Sequence, residues 1–428
     1  MKGIKTELKA RLDDFLSTFV RELRMIFTDS GVLVIFFIGG LLYPVLYNII
    51  YMNGTLDEMP VAVVDCSGGQ YSNRYLRKVD ATRECEILLH CASMQEAERL
   101  MQQRKIHGII YIHSDFDANI AQGRQGTVST YSDMSSFLYY KSLTMAANLA
   151  MLDELHTIQL EHYSMSGMDG KTASQLVQPV LYDENLPYNK PFSYTIFFIS
   201  AALMLVLQQT MFYGSALLAG TQRERGRSLS LIPDHLKRGY GMGRVVLGRG
   251  AAYFTVYMVV GTIVLLLIPW LFHLPQRAGF WEIIILLAFF LIDCIFFTFT
   301  WSALINKRET VFVLFLSISP ILLFLTGFSW PESSIPAFWR YFSYLFPSTF
   351  GCRAFINLNT AGATLFGIAP EMYALTVQTL VYYFLANAVT YAENKIFENR
   401  DKIEAIRDKV NRRRGLDSEE TRRIIEGD

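Results

Sequence analysis

The chain has 428 residues, with 39 Lys and Arg against 39 Asp and Glu, so its formal net charge is zero. Charged residues make up 18% of it, where soluble domains carry about 25%. The deficit is concentrated in long uncharged runs, which excludes a simple soluble enzyme, a disordered chain and a nucleic-acid binder that works through overall positive charge. Five cysteines in this length do not make a disulfide scaffold.

What remains is an integral membrane protein with a sizeable polar part. Residues 1–30 form the first expected element, a cytoplasmic amphipathic helix. Ile4, Leu8, Leu12, Phe15, Leu16, Phe19, Val20, Leu23, Ile26 and Phe27 recur at helical spacing, with Lys5, Lys9, Arg11, Arg21 and Arg24 between them. Such a helix lies flat on an anionic membrane surface; the plainer alternative is packing against a cytoplasmic partner. No cleavable signal peptide is expected, because the first apolar run is long enough to stay in the bilayer. Asp29 and Ser30 suit a helix cap before that run.

A hydrocarbon core needs roughly 20 apolar residues in a helix. Six stretches meet that length: 31–53, 191–219, 250–272, 281–305, 311–330 and 372–392. The fourth carries Glu282 at its edge and Asp293 near its middle. Between the first two, residues 54–190 alternate strand and helix signals. Val61–Asp65, Glu86–Leu89, His107–Ile112 and Thr127–Tyr131 read as strands. Helices are expected over Gln70–Val79, over Ser93–Gln102 with Ser93 and Glu96 at capping-box positions, and over 135–164. The expected fold is therefore an α-helical polytopic membrane protein of six transmembrane helices with an inserted extracytoplasmic α/β domain.

Lys and Arg in short loops set the orientation. They crowd the N-terminal segment, the stretch 220–249, the turn at Lys307 and Arg308, and the tail 393–428, all on one side of a six-span arrangement. The opposite loops hold Arg277, Arg340 and Arg353. Both termini are expected in the cytoplasm and 54–190 outside it. Cys66, Cys85 and Cys91 fall in that outer domain, where a disulfide is permitted; buried free thiols are the alternative. Residues 331–371 are too apolar for an ordinary loop, and re-entrant or interfacial helices are expected there, anchored by Trp330, Trp339, Tyr341 and Tyr344.

Several motifs fail on inspection. Gly170-Lys171-Thr172 looks like the end of a phosphate-binding loop, but Met165 stands where that motif needs glycine. His156 and His162, among Asp153, Glu154 and Glu161, are six residues apart and so lie on different faces of a helix. The chain supplies no complete catalytic constellation.

The stretch after the second run is the most informative. The charged turn Arg223-Glu224-Arg225-Gly226 precedes a short amphipathic piece ending at Pro233, suited to docking in a groove on a soluble partner. One span, a large outer domain and this Glu-x-Gly segment resemble the type-2 ATP-binding-cassette permeases, the membrane subunits of ABC exporters. In that family the segment reads Glu-Arg/Lys-Glu-x-Gly-Thr, followed by a leucine-rich helix and a proline. Here Arg223 holds the first acidic place and Arg227 the threonine place. The strand Val61–Asp65 followed by Ser114-Asp115-Phe116 and Gly123 is similar to the family's outer domain. Gly327-Phe-Ser-Trp-Pro-Glu-Ser-Ser-Ile-Pro-Ala-Phe-Trp339 and Leu345-Phe-Pro-Ser-Thr349 are similar to its segment before the last span.

The resemblance implies a transporter half that binds no cofactor itself and draws on ATP through a separate ABC ATPase. Glu224, Arg225, Gly226, Leu229 and Pro233 would couple to that subunit. The other expected partners are a second permease copy or a related permease, membrane lipid and a periplasmic adaptor; nucleic acid is not among them. The expected location is the bacterial inner membrane, and the expected cargo a small or amphipathic molecule. Asp293 is the leading candidate for the substrate path, because an ionisable group at mid-bilayer seldom faces lipid; packing is its alternative role. Gln208, Gln209 and Asn387 are further candidates, though amides often only join helices. Pro320 is expected to kink the fifth span, and Arg249 to snorkel to the interface. Two other classes stay open: a membrane sensor or scaffold binding a ligand through the outer domain, and an intramembrane enzyme, for which Asp293 lacks a second acid or histidine at depth.

Overall fold

The structure, a computed structural model, describes residues 2–52, 54–180, 189, 193–224, 241–305, 307–328 and 330–413. The chain opens with α1 (Lys2–Thr28) and α2 (Ser30–Ile50). Then come β1 (Met59–Asp65), α3 (Gln70–Asp80), β2 (Cys85–His90), α4 (Met94–Gln102), β3 (Gly108–Ile112), α5 (Phe116–Ala121), β4 (Val128–Ser132), α6 (Phe137–Met165) and α7 (Gly170–Val177). It continues with α8 (Tyr194–Glu224), α9 (Gly241–Leu271), α10 (Phe280–Ser302), α11 (Arg308–Leu325), α12 (Ala337–Ser343), α13 (Pro347–Phe355) and α14 (Ala369–Arg413). Contacts divide these into two units, one of Met1–Met52 with Ser193–Asp428 and one of Asn53–Phe192.

In the first unit, α2, α8, α9, α10 and α14 contain stretches long and apolar enough to cross a membrane. The two pieces of α11, Arg308–Leu314 and Ser317–Leu325, make a sixth if they are one span bent by 40°. The bend lies one turn before Pro320, which has no N–H to give the carbonyl of Leu316. α8 is the central helix, with residues from Phe198 to Leu218 in the core. Gly214 leaves room for Phe36 of α2, since a Cβ there would stand 2.1 Å from its ring. The ring in turn meets Tyr257 of α9 edge-on at 4.9 Å. Small residues that let helices close up in this way replace the hydrophobic drive that lipid does not supply.

α1 packs along α9. Thr18, Glu22 and Ile26 are buried there, and a Cβ on Gly248 would come within 3.0 Å of the Phe15 carbonyl. Leu12, Leu16, Val20 and Phe27 stay exposed, an apolar stripe of the kind that faces lipid. α9 begins at Gly241, nine residues before the apolar run at Gly250, because its first turns carry Arg244 and Arg249 toward acids on α1. α13 is almost wholly buried. Its N-cap residue, Phe346, makes no side-chain hydrogen bond, and the Ser348 N–H donates instead to Oε1 of Gln208 on α8.

The second unit is built on a four-stranded sheet of order β2-β1-β3-β4, with β1 parallel to β2 and β3, and β4 antiparallel to β3. β1 is apolar throughout because both its faces are covered. Val61 and Val63 pack with Leu76, Val79 and Leu143 of α3 and α6, while Ala62 and Val64 pack with Ala97 of α4. Each strand forms within two residues of its expected run. Ser93 Oγ accepts from the Glu96 N–H at 3.3 Å, and the Glu96 carboxylate from the Ala92 N–H at 3.0 Å. Cys66, Cys85 and Cys91 are all free thiols. Cys85 and Cys91 belong to cores on opposite faces of the sheet, so the disulfide alternative does not form between them. Burial pushes the Cys85 thiol up to about 12, which makes it inert.

The Asp-Phe signature after β3 has a structural reason. Phe116 fills the core under α3, and the next residue, Asp117, reaches the start of α3, whose N-cap is Gly69. Its carboxylate accepts from the Tyr71 N–H at 2.6 Å, the Ser72 N–H at 3.3 Å and the Ser67 hydroxyl at 2.7 Å. A side chain at position 69 would collide with it, at 2.3 Å from Cβ to the carboxylate. On the far side of α3, Arg74 pairs with Glu154 at 2.6 Å and Lys78 with Asp153 at 2.7 Å. The acids around His156 are thus engaged in fastening α3 to α6, and no group able to hold a metal occurs among the described residues.

Three substitutions test these local arguments. Burial raises the Asp117 carboxyl, but its hydrogen bonds outweigh burial and hold it below the ordinary carboxylate range. A depressed group stabilises the fold above its unfolded value of ~3.9 and ceases to do so as pH falls through the folded value. Asp117→Asn should weaken the start of α3 by about 1.5–3 kcal/mol at neutral pH. Hydrogen exchange at Tyr71 and Ser72 reads this directly; the difference from wild type should shrink in acid, and equal protection at pH 7 would remove the capping role. Gln208→Leu strands a buried N–H, at a cost of about 1–3 kcal/mol, and should lower the thermal midpoint in detergent. Gln209→Leu should change it little, because Gln209 reaches the Ser319 carbonyl only at 3.5 Å.

Candidate coupling site

The last turn of α8 carries Thr221, Arg223 and Glu224 toward the ends of α2, α10 and α11 and the middle of α14. Arg223 Nε donates to Glu393 Oε1 of α14 at 3.0 Å, and Nη2 donates to the same oxygen. Nη1 donates to the carbonyl of Ser302 at 2.7 Å and to that of Ile305. The last carbonyl of α10, at Ser302, and that of Ile305 just beyond the helix thereby gain a side-chain donor.

Arg308, the first residue of α11, is held still more closely. Its Nη1 and Nη2 form a fork on Asp29, at 3.2 and 3.3 Å, and Nη1 also donates to Thr221 Oγ1 at 3.0 Å. Its backbone N–H donates to Glu224 Oε1 at 2.9 Å. Lys307 makes no cap hydrogen bond, so Glu224 serves as the cap of α11 from another helix. Asp29 meanwhile caps α2, accepting from the N–H groups of Gly31 at 3.0 Å and Val32 at 3.2 Å. Two further pairs bind α1 to α9: Glu22 with Arg249 at 3.1 Å and Asp14 with Arg244 at 2.9 Å.

Exposed pairs contribute about 0–1 kcal/mol, whereas removing one partner of a buried pair costs about 3–5 kcal/mol because a charge is left alone. Glu22 is 2% exposed in its side chain and Asp29 11%. These two pairs therefore lie toward the costly end. Arg249 does not snorkel as expected: its guanidinium sits over the Phe299 ring at 4.9 Å and is paired with Glu22.

Of the coupling residues expected from sequence, Glu224 points inward to α11, while Arg225, Gly226, Leu229 and Pro233 lie outside the described residues. The substrate-path candidates take separate environments. Asp293 is fully buried in α10, and neither of its oxygens has a hydrogen-bond partner among the described residues. Gln208 caps α13, Gln209 faces α11, and Asn387 Nδ2 donates to the Tyr383 carbonyl of its own helix at 2.8 Å. Gln208 and Asp293 do share a level. One turn to one side, a Cβ on Gly351 would touch both Phe290 and Met204. One turn to the other, Phe297 and Phe212 meet at 5.7 Å. Asp29 was legible only as a helix cap, and Arg308 only as a positive loop residue. Glu22 and Glu393 gave a fainter signal: lone acids at the margins of apolar runs facing a matching surplus of arginine.

No curated protein matches the chain. A family model described as ABC-2 family transporter protein matches residues 30–387, from the first residue of α2 into α14 and across both units. The chain is a multi-pass membrane protein and belongs to the ABC-2 transporter family.

Proposed function

We propose that this protein is the permease subunit of an ABC exporter that carries a small or amphipathic molecule out of the cytoplasm or the inner leaflet. A permease role in ABC transport, worked by a separate ABC ATPase, follows from the family. The observation that carries the finer reading is the family match running unbroken from residue 30 to residue 387, through the α/β unit as well as the helices. Export fits a subgroup with a large outer domain between its first two spans, and the compact α/β unit of Asn53–Phe192 supports that reading by its place in the chain.

In this reading two permeases and two ATPases form the working assembly in the bacterial inner membrane, with both termini in the cytoplasm. The ATPase engages 225–240, the segment between α8 and α9. Its motion is passed to the helices through the arginine-tied ends of α8, α10 and α11. Asp293 and Gln208, on one level of the bundle interior, are the residues assigned to the cargo's path. Both are buried within one protomer, so cargo reaches them only when the helices part.

Three measurements test this. The protein should co-purify with an ABC ATPase, and inside-out vesicles containing both should accumulate cargo only with ATP; activity of the permease alone would contradict it. In a Cys66→Ser background, Gln122→Cys should react with an impermeant maleimide from outside and Ile396→Cys only after the membrane is opened. Labelling of both from one side would overturn the orientation. Asp293→Asn keeps the side-chain volume, so expression and insertion should persist while transport falls about tenfold or more, the effect of losing ~1.4 kcal/mol of interaction with the moving cargo. Unaltered transport would return Asp293 to a packing role.

A further inference from the structure

We propose that Arg308 is a positioning residue for energy coupling, the joint through which displacement of the 225–240 segment reaches α11. This rests on the reading of the chain as an ATPase-driven permease. Glu224 is the last described residue before that segment, so a push on the segment acts first on the final turn of α8. That turn holds the first residue of α11 at two points, Glu224 on the Arg308 N–H and Thr221 on its guanidinium. Asp29 supplies the third point from α2 through a two-toothed contact that fixes the plane of the guanidinium.

The place is built for this side chain. A Cβ on Gly31 would stand 2.2 Å from Arg308 Nη2, and a Cβ on Gly220 would stand 3.1 Å from the Arg308 N. Two helices thus carry glycine where Arg308 passes or begins. Beyond the joint, Arg308–Leu314 forms a stiff arm about 10 Å long, at 1.5 Å per residue. It ends at the 40° bend before Ser317. A bend with an identifiable cause is a ready hinge, so a shift at Arg308 becomes a tilt of the arm against the outer half of α11. Arg223 ties the same turn to α10 and α14, whereas Arg308 is the contact that carries its displacement to the arm of α11.

The test uses the full chain with its co-purifying ATPase in lipid nanodiscs. Spin labels are placed at Phe324→Cys on the outer half of α11 and Tyr373→Cys on α14, in the Cys66→Ser background; both positions are exposed. Distances are compared without nucleotide and after trapping with ADP and vanadate. Wild type should show a nucleotide-dependent shift. Arg308→Gln should lose the shift while keeping the ATPase bound and hydrolysing at its basal rate. Gly31→Ala, which removes no charge and whose Cβ would stand 2.2 Å from the guanidinium and 2.9 Å from Leu217, should weaken it too, and Arg308→Lys should retain part of it. The proposal is overturned if Arg308→Gln shifts like wild type, or if it sheds the ATPase together with the shift, since it would then maintain assembly rather than transmit motion. A wild-type complex that hydrolyses ATP without any shift also refutes the joint. A wild type that captures no ATPase would instead refute the permease reading beneath it.

Discussion

The first unit depends on arginine side chains that close the ends of helices made almost entirely of apolar residues. A helix in hydrocarbon satisfies its own backbone except at its termini, and its side chains offer little that is directional. Packing alone would let such helices slide along one another, because lipid competes equally well for their surfaces. The guanidinium groups of Arg223 and Arg308 supply what is missing. Each reaches both a carboxylate and an oxygen from a different part of the chain, so the ends of α2, α8, α10 and α11 are held in a fixed relation to one another and to Glu393 of α14. Lysine, a point charge without a fork, would not hold several acceptors in one plane.

The second unit reaches the same end by different means. Its sheet is covered on both faces, so burial of β1 supplies most of the cohesion, and polar contacts are needed only where elements stop. The start of α3 shows this: a glycine cap leaves the first N–H groups open, and a carboxylate from α5 closes them. The glycine and the aspartate require each other. Asp117 fits only where position 69 has no side chain, and Gly69 serves as a cap only because Asp117 is there. The side-chain bonds from Asp65 to the N–H groups of Ser67 and Gly68 hold the intervening turn, where Gly68 takes a φ of +62°.

Elements whose formation depends on local periodicity were legible in the sequence. The strands of the second unit, the caps at Asp29 and Ser93, and the long apolar helices all follow from spacing within a dozen residues. What was not legible is which distant group each polar side chain meets. Arg308 and Asp29 are separated by most of the chain, and each has an adequate local explanation, one as a topology marker and the other as a cap. Gln208 and Gln209 look alike in sequence, yet one closes a buried helix start and its neighbour barely reaches a carbonyl. Arg249 was assigned to the interface because it was weighed without Glu22, which sits on a helix read as separate from the bundle. α9 likewise begins nine residues before its apolar run, where Arg244 and Arg249 meet acids on α1.

The two ends of the helical unit differ in the kind of cohesion they have. Opposite the arginines lie Trp270, Trp281, Trp330 and Trp339, all exposed, at helix ends and on the short helices before α13. Aromatic rings of this kind settle at a membrane interface without a fixed partner. Their contacts with lipid are tolerant of small displacements, whereas a bidentate ion pair loses much of its strength if its geometry is altered. The aromatic end has its own polar tie, Arg353 with Glu332 at 2.8 Å, but it joins the short connecting segments, whereas the arginine end joins the long helices directly. α11 is the helix in which this contrast is sharpest: its first residue has three acceptors from two helices, and its outer half lies beyond a bend with Phe324 exposed. A helix tied at its first residue and bent further on converts a displacement at the tie into a tilt about the bend, and the stiffness of a helix makes that conversion possible.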